Sequence, residues 1–400
     1  MPISRLTKFL GLRRSIVGLL GMVMFVGLGE HMAEQFLPLY LIALGGGFIS
    51  VGFLNAMNNL LGALYGFPGG YLSDRLGTKR ALLLFNGLSV IGFLLVILFP
   101  VWPVVIGGAA LFLSWTDISF PAAMGLVSRV FPKDKRTMGV TLHSLVRRVP
   151  MALGPIVGGA FIKAWGVERG VRLAFCGALL MAAVAAILQQ VLIEDDAHKG
   201  QKSAELNLLR LWRYASEDLR QLLVADVLVR FCEQIPYAFV VIWAVGTAQQ
   251  PGPVTALQFG VLRSIEMATA VLVYIPVAYL ADRGHKKPFV VMTFVFFTLF
   301  PLVLLYSRSF ELLVVAFVLR GLKEFGEPTR KALIMDLAPE NRKAGMFGLY
   351  YLIRDVVVSV AAFGGALLWT ISPRVNLLTA TAFGAIGTVW FALRGRDLKS

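Results

Sequence analysis

Long apolar segments recur along the whole chain and are separated by short polar ones. Segments such as Ala81 to Pro100 and Phe289 to Tyr306 are apolar on every side of a helix, whereas strands of a membrane barrel would alternate apolar and polar residues. A helix needs roughly 20 apolar residues to cross the hydrocarbon core of a bilayer. The pattern therefore predicts an all-α integral membrane protein.

Twelve segments are predicted to cross the membrane. Their approximate bounds are 16–44, 50–72, 80–100, 104–130, 138–163, 171–193, 220–246, 254–281, 288–306, 311–336, 343–370 and 375–393. The most polar interruption, 194–219, carries apolar residues at helical spacing from Leu208 to Leu219, which predicts a cytoplasmic linker with an amphipathic helix. The linker divides the chain into an N-terminal six-helix bundle, residues 1–193, and a C-terminal six-helix bundle, residues 220–400.

Basic residues concentrate in every second gap between these segments. The alternate gaps hold only Lys163, Arg169, Arg172, Arg308 and Arg374. This asymmetry follows the positive-inside rule and predicts that both termini and the linker are cytoplasmic, in a multi-pass protein of the cytoplasmic (inner) membrane. The formal net charge of +15 is accordingly assigned to topology and to contact with anionic lipid rather than to nucleic-acid binding.

The two halves of the chain repeat one another. Residues 68–75 read PGGYLSDR and residues 276–283 read PVAYLADR, 208 positions later. At an offset of 207, the matching pairs are Pro121 with Pro328, Pro132 with Pro339, Arg147 with Arg354, and Gly158 with Gly365. A nearly constant offset predicts a duplication of six spans in parallel orientation, related by a pseudo-two-fold axis.

The loop after the second span carries a glycine-rich and basic motif. Its residues are Gly69, Gly70, Asp74, Arg75, Gly77, Lys79 and Arg80. Small residues allow close helix packing, and Asp74 can accept hydrogen bonds from helix N-termini. The motif resembles the signature of the major facilitator superfamily, which implies two six-helix bundles and a cytoplasmic latch that holds the outward-open state. The second copy keeps Asp282 and Arg283 but lacks the paired glycines.

Span 5 contains a second small-residue motif, formed by Gly154, Pro155, Gly158 and Gly159. It is similar to the core of the motif associated with the superfamily's antiporters. Pro150 and Thr141 stand where that pattern has further glycines, and glycine and proline also suit plain helix packing or a kink. Both interpretations stay open, and the resemblance favours export.

Ionisable residues within spans mark a transport path by default, because they are expensive to bury. In the C-terminal half, Glu233 and Glu324 have basic residues three or four positions away. In the N-terminal half, Glu30, Glu34 and Asp117 have none. These three are the proton-coupling candidates, since a low-dielectric cavity favours the neutral carboxyl group and lets it load and release a proton. The superfamily resemblance implies that spans 1, 4, 7 and 10 line the cavity; the alternative is that Glu30 or Glu34 is solvated near the outer surface.

Arginines also occur deep within the spans. Arg147 and Arg148 lie roughly 15 Å into span 5, and Arg354 with Asp355 occupies the equivalent place in span 11. These residues are expected either to bind an anionic substrate or to form ion pairs with intramembrane acids such as Glu30.

Together with the resemblance, these features predict a secondary active transporter that works by alternating access and exports small, partly lipophilic compounds in a proton-coupled way. The alternatives are an importer or exchanger of organic anions that uses Arg147 and Arg148, and a lipid flippase or non-transporting membrane sensor. The expected partners are a small-molecule substrate, protons and the bilayer, and a monomer is expected. No enzymatic activity, cofactor or metal site is expected, because no phosphate loop, nucleophile motif or metal-type spacing occurs in the sequence.

Overall fold

The computed structural model describes residues 14–113, 115–130, 136–193, 212–281, 285–339 and 343–396. Almost all of these residues are helical, and within them the helices form twelve spans in chain order. Ten helices of the described part are long and apolar enough to cross a bilayer on their own. One of these contains both span 5 and span 6, and span 10 is divided into two shorter helices. The prediction of an all-α, twelve-span membrane protein is therefore confirmed.

Spans 1 to 6 lie between Arg14 and Leu192. Span 1 comprises Arg14–Glu34 and Leu37–Ala43, span 2 is Gly47–Leu76, span 3 is Thr78–Leu98, and span 4 comprises Trp102–Phe112 and Trp115–Val130. Spans 5 and 6 share Arg136–Leu192, which is interrupted at Gly166. Gly166 has a φ of 77°, a left-handed conformation that glycine adopts without steric cost, and the chain turns there from span 5 into span 6.

Spans 7 to 12 lie between Glu217 and Arg394. Span 7 comprises Glu217–Gln234, a 3₁₀ turn at Tyr237–Phe239 and Val240–Val245; span 8 is Ala256–Ala281, span 9 is Lys286–Tyr306, span 10 comprises Phe310–Leu322 and Glu327–Leu337, span 11 is Lys343–Ile371, and span 12 is Pro373–Arg394. The amphipathic helix predicted for the linker falls largely on 194–211, outside the described residues.

Spans 1, 4, 7 and 10 are each divided into two helices. Proline explains three of the divisions, because it lacks a backbone N–H and starts a helix better than it continues one. Pro38 lies in the first turn of the second helix of span 1, Pro236 precedes the 3₁₀ turn of span 7, and Pro328 lies in the first turn of the second helix of span 10. Divided helices leave backbone polar groups free of intrahelical bonds, which a membrane tolerates only beside protein or a water-filled cavity.

The chain separates into two compact units, Met1–Gly45 with Leu64–Ser203 and Gly46–Ala63 with Ala204–Ser400. The first part of span 2 thus belongs to the second unit, whereas the sequence prediction assigns all of span 2 to the N-terminal bundle. In that unit Asn55 donates a 3.2 Å hydrogen bond to the backbone oxygen of Gln234. The division into two bundles by chain order stays a prediction.

Each unit has its own apolar core. In the first unit, Leu19 of span 1 packs in a cluster with Phe85 of span 3 and with Trp115 of span 4. In the second unit, Leu222 of span 7 packs in a cluster with Phe294 of span 9. These side chains are buried within their units, while other apolar side chains of the same helices are exposed on the surface.

One close helix contact occurs in both units. A Cβ atom on Gly158 of span 5 would overlap the backbone oxygen of Met32 in span 1, and a Cβ atom on Gly365 of span 11 would overlap the backbone oxygen of Ile235 in span 7. Since Gly158 and Gly365 match in the repeat, Met32 and Ile235 are also equivalent positions, 203 apart. Spans 5 and 11 therefore pack on spans 1 and 7 through the same small-residue contact.

The replacement of Gly365 by alanine is expected to destabilise the second unit by about 1–3 kcal/mol, because the added methyl group forces two backbones apart. Its neighbour Gly364 is a matched control, since nothing lies within 4 Å of the position its Cβ would take. Gly364→Ala should be neutral or stabilise the helix by up to about 1 kcal/mol. Thermal unfolding of the purified protein in detergent compares the two, and equal midpoints would contradict this packing.

Candidate functional site

A buried acid lies near the end of the first helix of span 1. Glu30 is only 3% exposed, and its Oε2 atom has no hydrogen-bond partner among the described residues. The charged groups that surround it are Glu34, Arg147 and Asp117. The first unit thus brings together all three acids that the sequence predicts as proton-coupling candidates, with one of the two predicted arginines.

The neighbours of Glu30 differ in their surroundings. Glu34 lies 2.8 Å from Nδ1 of His31, one turn earlier on the same helix. Asp117 lies in the first turn of the second helix of span 4 and its side chain is exposed; the partial positive charge of a helix N-terminus favours a carboxylate there. Arg147 and Arg148 are both half-buried, and the carboxyl groups that act on Arg147 are those of Asp117 and Glu30.

A buried chain of amide groups fixes the start of the second helix of span 4. The indole N–H of Trp115 donates to Oδ1 of Asn86 at 2.8 Å, and Nδ2 of Asn86 donates to Oε1 of Gln189 at 2.6 Å. Nε2 of Gln189 in turn donates to the backbone oxygen of Lys79 at 2.7 Å. These bonds join spans 3, 4 and 6. Trp115, the residue of span 4 that they hold, lies two positions before Asp117. The sequence analysis did not predict these hydrogen bonds. The amide side chains of Asn86 and Gln189, which lie within apolar segments, were the signal that could have indicated them.

In the second unit, the acid Glu233 of span 7 is paired with basic side chains. Glu233 receives hydrogen bonds of 2.6 Å from Nη1 of Arg230 and from Nζ of Lys323. The same ammonium group lies 3.8 Å from Glu266 of span 8. Glu266 is itself bonded by Arg263.

A second buried network surrounds Asp226. Its Oδ2 atom accepts hydrogen bonds from Nη1 of Arg330 and, at 3.0 Å, from the hydroxyl of Tyr350, and it lies 3.5 Å from Nη1 of Arg354. Asp226 and Arg330 are each 1% exposed. Arg354 also donates to Asp355 at 2.7 Å, so the predicted anion or ion-pair candidates of span 11 are engaged with carboxylates in this structure.

The two halves place acids at equivalent positions but differ in cations. Glu30 and Glu233 are 203 positions apart, the offset set by the Met32 and Ile235 contacts, and Asp117 and Glu324 are 207 apart. Glu233 is bonded by two cations, Arg230 and Lys323. At the offsets of 203 and 207, the equivalent residues of the first half are Gly27 and Thr116. The first unit therefore has the acid of span 1 without the two cations that its repeat partner bonds.

The contacts of the loop motif are partly described. Gly69 faces span 4 so closely that a Cβ would overlap the backbone oxygen of Ile118. Arg75 is exposed and donates to the hydroxyl of Tyr71 at 3.3 Å. Gly77, with a φ of 81°, precedes span 3, and Nζ of Lys79 donates to the backbone oxygen of Gln190 at 2.9 Å. Asp282 and Arg283, the second copy, lie outside the described residues.

The span 5 motif lies directly beside the Glu30 segment. A Cβ on Gly154 would lie 2.8 Å from Cβ of His31, and Pro155 and Gly159 are buried. Together with the contact of Gly158, this places the motif where span 5 meets span 1. Within the described part of the chain, no group of three or more potential metal ligands occurs.

Comparisons with known proteins agree with this architecture. The model of the Major Facilitator Superfamily matches residues 19–250 and 222–400. An MFS-type transporter of Methanocaldococcus jannaschii, itself uncharacterized, is 22% identical over an alignment 382 residues long that covers 92% of each chain.

Solved structures of transporters have a similar fold. A crystal structure of the peptide transporter POT in complex with sulfate has a TM-score of 0.77 at 14% identity and covers 95% of this chain and 93% of its own. A crystal structure of a mutant of the nucleoside transporter NupG has a TM-score of 0.79 at 12% identity and covers 95% of this chain and all of its own. At these identities the likeness concerns the fold alone.

Proposed function

Since this chain belongs to the major facilitator superfamily and is a multi-pass membrane transporter, we propose that it exports small, partly lipophilic compounds by alternating access and couples export to proton entry at Glu30. The observation that carries the proposal is the burial of Glu30 with an unbonded oxygen: its side chain is 3% exposed and Oε2 has no hydrogen-bond partner among the described residues. An ionised carboxylate with an unbonded oxygen is costly in a low-dielectric site, so we expect the enclosed group to hold a proton.

The surroundings of Glu30 suit a group that alternates between two protonation states. When the cavity opens to water on the cytoplasmic side, hydration favours the carboxylate, and the positive charge of Arg147 stabilises it. When the cavity opens to the external side, the carboxylate takes up a proton from the water there, and the group stays neutral as the site closes because the negative charges of Glu34 and Asp117 oppose ionisation. Each cycle thereby moves a proton from the external side to the cytoplasmic side.

The contacts of the arginines support this proposal over the anion alternative. Arg354 is bonded to Asp355 and lies beside Asp226, and Arg147 has Asp117 and Glu30 as its acidic neighbours. An anionic substrate would have to replace these carboxylates and leave them unpaired, at a cost of several kcal/mol for a buried charge. The antiporter-like motif of span 5 supports export as the direction, and the distribution of basic residues supports cytoplasmic termini in the inner membrane.

Proton flux measured with the purified protein in liposomes tests this function. A pH-sensitive dye in the lumen reports protons that move when lipophilic cations, organic anions or lysolipids are added. We expect proton movement with lipophilic compounds. Proton-linked uptake of organic anions alone would favour the exchanger alternative, and movement of lysolipid alone would favour the flippase.

Asp74 is proposed as a latch residue at the cytoplasmic end of span 2. Asp74→Asn should slow transport severalfold while expression stays normal, because an amide is a weaker acceptor than a carboxylate for helix N-termini. Initial transport rates at equal protein in liposomes measure the effect, and Arg75→Gln serves as the control for loss of a charge in the same loop. If Asp74→Asn transports at the same rate as wild type, Asp74 does not act as a latch.

A further inference from the structure

The last part of span 12 carries a groove on one side of the helix. The groove has a volume of about 480 Å³, within the range of roughly 300–1,000 Å³ that is typical of ligand sites. The residues that line it all belong to span 12 and are Ala385, Ile386, Val389, Trp390, Leu393 and Arg394. Spacings of three and four residues place them on one helix face. By the helical rise, the groove extends for roughly 14 Å and ends where span 12 ends.

This groove is apolar along its length and carries a charge only at its end. Ile386, Val389 and Leu393 are 54%, 55% and 78% exposed, so the described part of the chain leaves these side chains largely uncovered. Arg394, the last residue of span 12, lies at the end that the distribution of basic residues predicts to be cytoplasmic. A phospholipid of the cytoplasmic leaflet has the same order of groups, with its acyl chains toward the bilayer centre and its phosphate toward the cytoplasm.

The polar groups at the end of the groove lack acceptors. Among the described residues, Arg394 has no carboxylate partner, and its guanidinium lies 4.6 Å from the ring centre of Trp390. The Nε1 atom of Trp390 is buried and has no hydrogen-bond partner in the described part of the chain, which costs free energy. Arg396, by contrast, pairs with Asp218 at 2.8 Å. An acceptor is therefore missing beside Arg394 and Trp390.

We propose that this groove binds one anionic phospholipid of the cytoplasmic leaflet, with an acyl chain along Ile386 and Val389 and the phosphate group at Arg394. The planar guanidinium matches the geometry of phosphate oxygens. Because the guanidinium lies over the indole ring, a phosphate oxygen bound to Arg394 also comes within reach of the Trp390 N–H group. An acyl chain gains only packing contacts when it leaves the surrounding lipid for the groove, so the headgroup decides which lipid binds.

The site is more specific than the general attraction of basic loops to anionic lipid. It assigns one lipid to one cation and one helix face, and it goes beyond the transport function, since it depends neither on the substrate nor on proton coupling.

A second copy of the chain suits this face less well. Two copies in one membrane keep the same orientation, and a symmetric contact through span 12 uses the same face of both. The two Arg394 side chains would then meet at the same depth, and like charges placed together oppose association. An anionic headgroup instead neutralises the charge.

Thermal unfolding of the purified, delipidated protein in detergent tests the inference, because a bound lipid raises the unfolding midpoint. Dioleoyl phosphatidylglycerol and dioleoyl phosphatidylcholine share their acyl chains and phosphate group but differ in net charge. Phosphatidylglycerol should raise the midpoint of wild type with a half-saturating concentration about fivefold lower than that of phosphatidylcholine. Inorganic phosphate should leave the midpoint unchanged, since it has no acyl chain to occupy the groove.

Two variants separate the headgroup contact from the groove. Arg394→Gln should abolish the preference for phosphatidylglycerol, whereas the control Arg396→Gln, which removes a cation already paired with Asp218, should keep it. Ala385→Trp keeps Arg394 but fills the groove, and it should weaken the binding of both lipids. Ala385 and Arg394 are exposed, so neither change disturbs the core of the unit.

Three results would overturn the inference. The first is a wild-type protein that responds equally to the two lipids, or that inorganic phosphate stabilises. The second is a preference for phosphatidylglycerol that persists in Arg394→Gln or is lost equally in Arg396→Gln. The third is a dimer in native mass spectrometry that Ala385→Trp disrupts, which would assign this face to a second copy of the chain.

Discussion

Glu30→Gln is expected to abolish uphill transport driven by a pH gradient while leaving substrate binding and passive exchange in place. Glutamine keeps the volume and polarity of the neutral carboxyl group but cannot exchange a proton, so only the coupled step is lost. Transport by purified protein in liposomes, with and without an imposed pH gradient, measures the two activities separately. Among the three acids of the first unit, the largest effect is expected at Glu30 and the second largest at Asp117.

The repeat supplies a second variant for this prediction. Thr116→Lys introduces lysine at the position equivalent to Lys323, where it should hold Glu30 ionised and stop coupling without removing the carboxyl group. Thr116→Met, of similar length but neutral, is the control and should keep coupling. If the amide variants of Glu30, Glu34 and Asp117 all still transport uphill on a pH gradient, none of these three acids is the proton site. Glu233 and Glu324 would then be the next candidates for the proton-coupling site, or the coupling ion would not be a proton.

Asp226→Ala is expected to lower stability by about 3–5 kcal/mol, because it leaves the buried Arg330 guanidinium without its carboxylate from span 7 and opens the network around Tyr350. The same helix offers a control in Asp218, whose 2.8 Å pair with Arg396 is exposed. Asp218→Ala should change stability by less than about 1 kcal/mol. Thermal unfolding in detergent compares the variants, and similar small shifts for both would show that the Asp226 network contributes little.

The fold was predictable from sequence because the bilayer permits few solutions. Long apolar segments must satisfy their backbone groups internally, so hydropathy alone indicates helices and their number. The division of spans 1, 4, 7 and 10 was not predicted, since each reads as one apolar segment. Pro38, Pro236 and Pro328 were the local signals, but a proline can kink a helix as well as divide it.

The candidate site was predictable where partners are close in sequence. Spacing of three residues identified the pair of Arg230 with Glu233, which the structure contains. It could not identify the bond from Lys323 to Glu233, whose partners are 90 residues apart, or that from Arg330 to Asp226, 104 apart. Those contacts depend on helix packing, which hydropathy does not report.

The repeat relates several residues of the site to one another in the sequence itself. When the two halves are aligned at the offset of 207, Thr116 aligns with Lys323 and Asp117 aligns with Glu324. The match of Glu30 with Glu233 needed the structure, because the offset of spans 1 and 7 differs from that of the later spans and is set by the contacts of Gly158 and Gly365.

The protonation state of Glu30 in the resting protein is the central claim, and infrared difference spectroscopy measures it without a known substrate. The carbonyl stretch of a protonated carboxyl group is separate from the stretches of a carboxylate. At neutral pH the wild-type protein should show a protonated-carboxyl band that is lost in Glu30→Gln and kept in Glu233→Gln, since Glu233 is bonded by Arg230 and Lys323. A band that persists unchanged in Glu30→Gln would contradict the account.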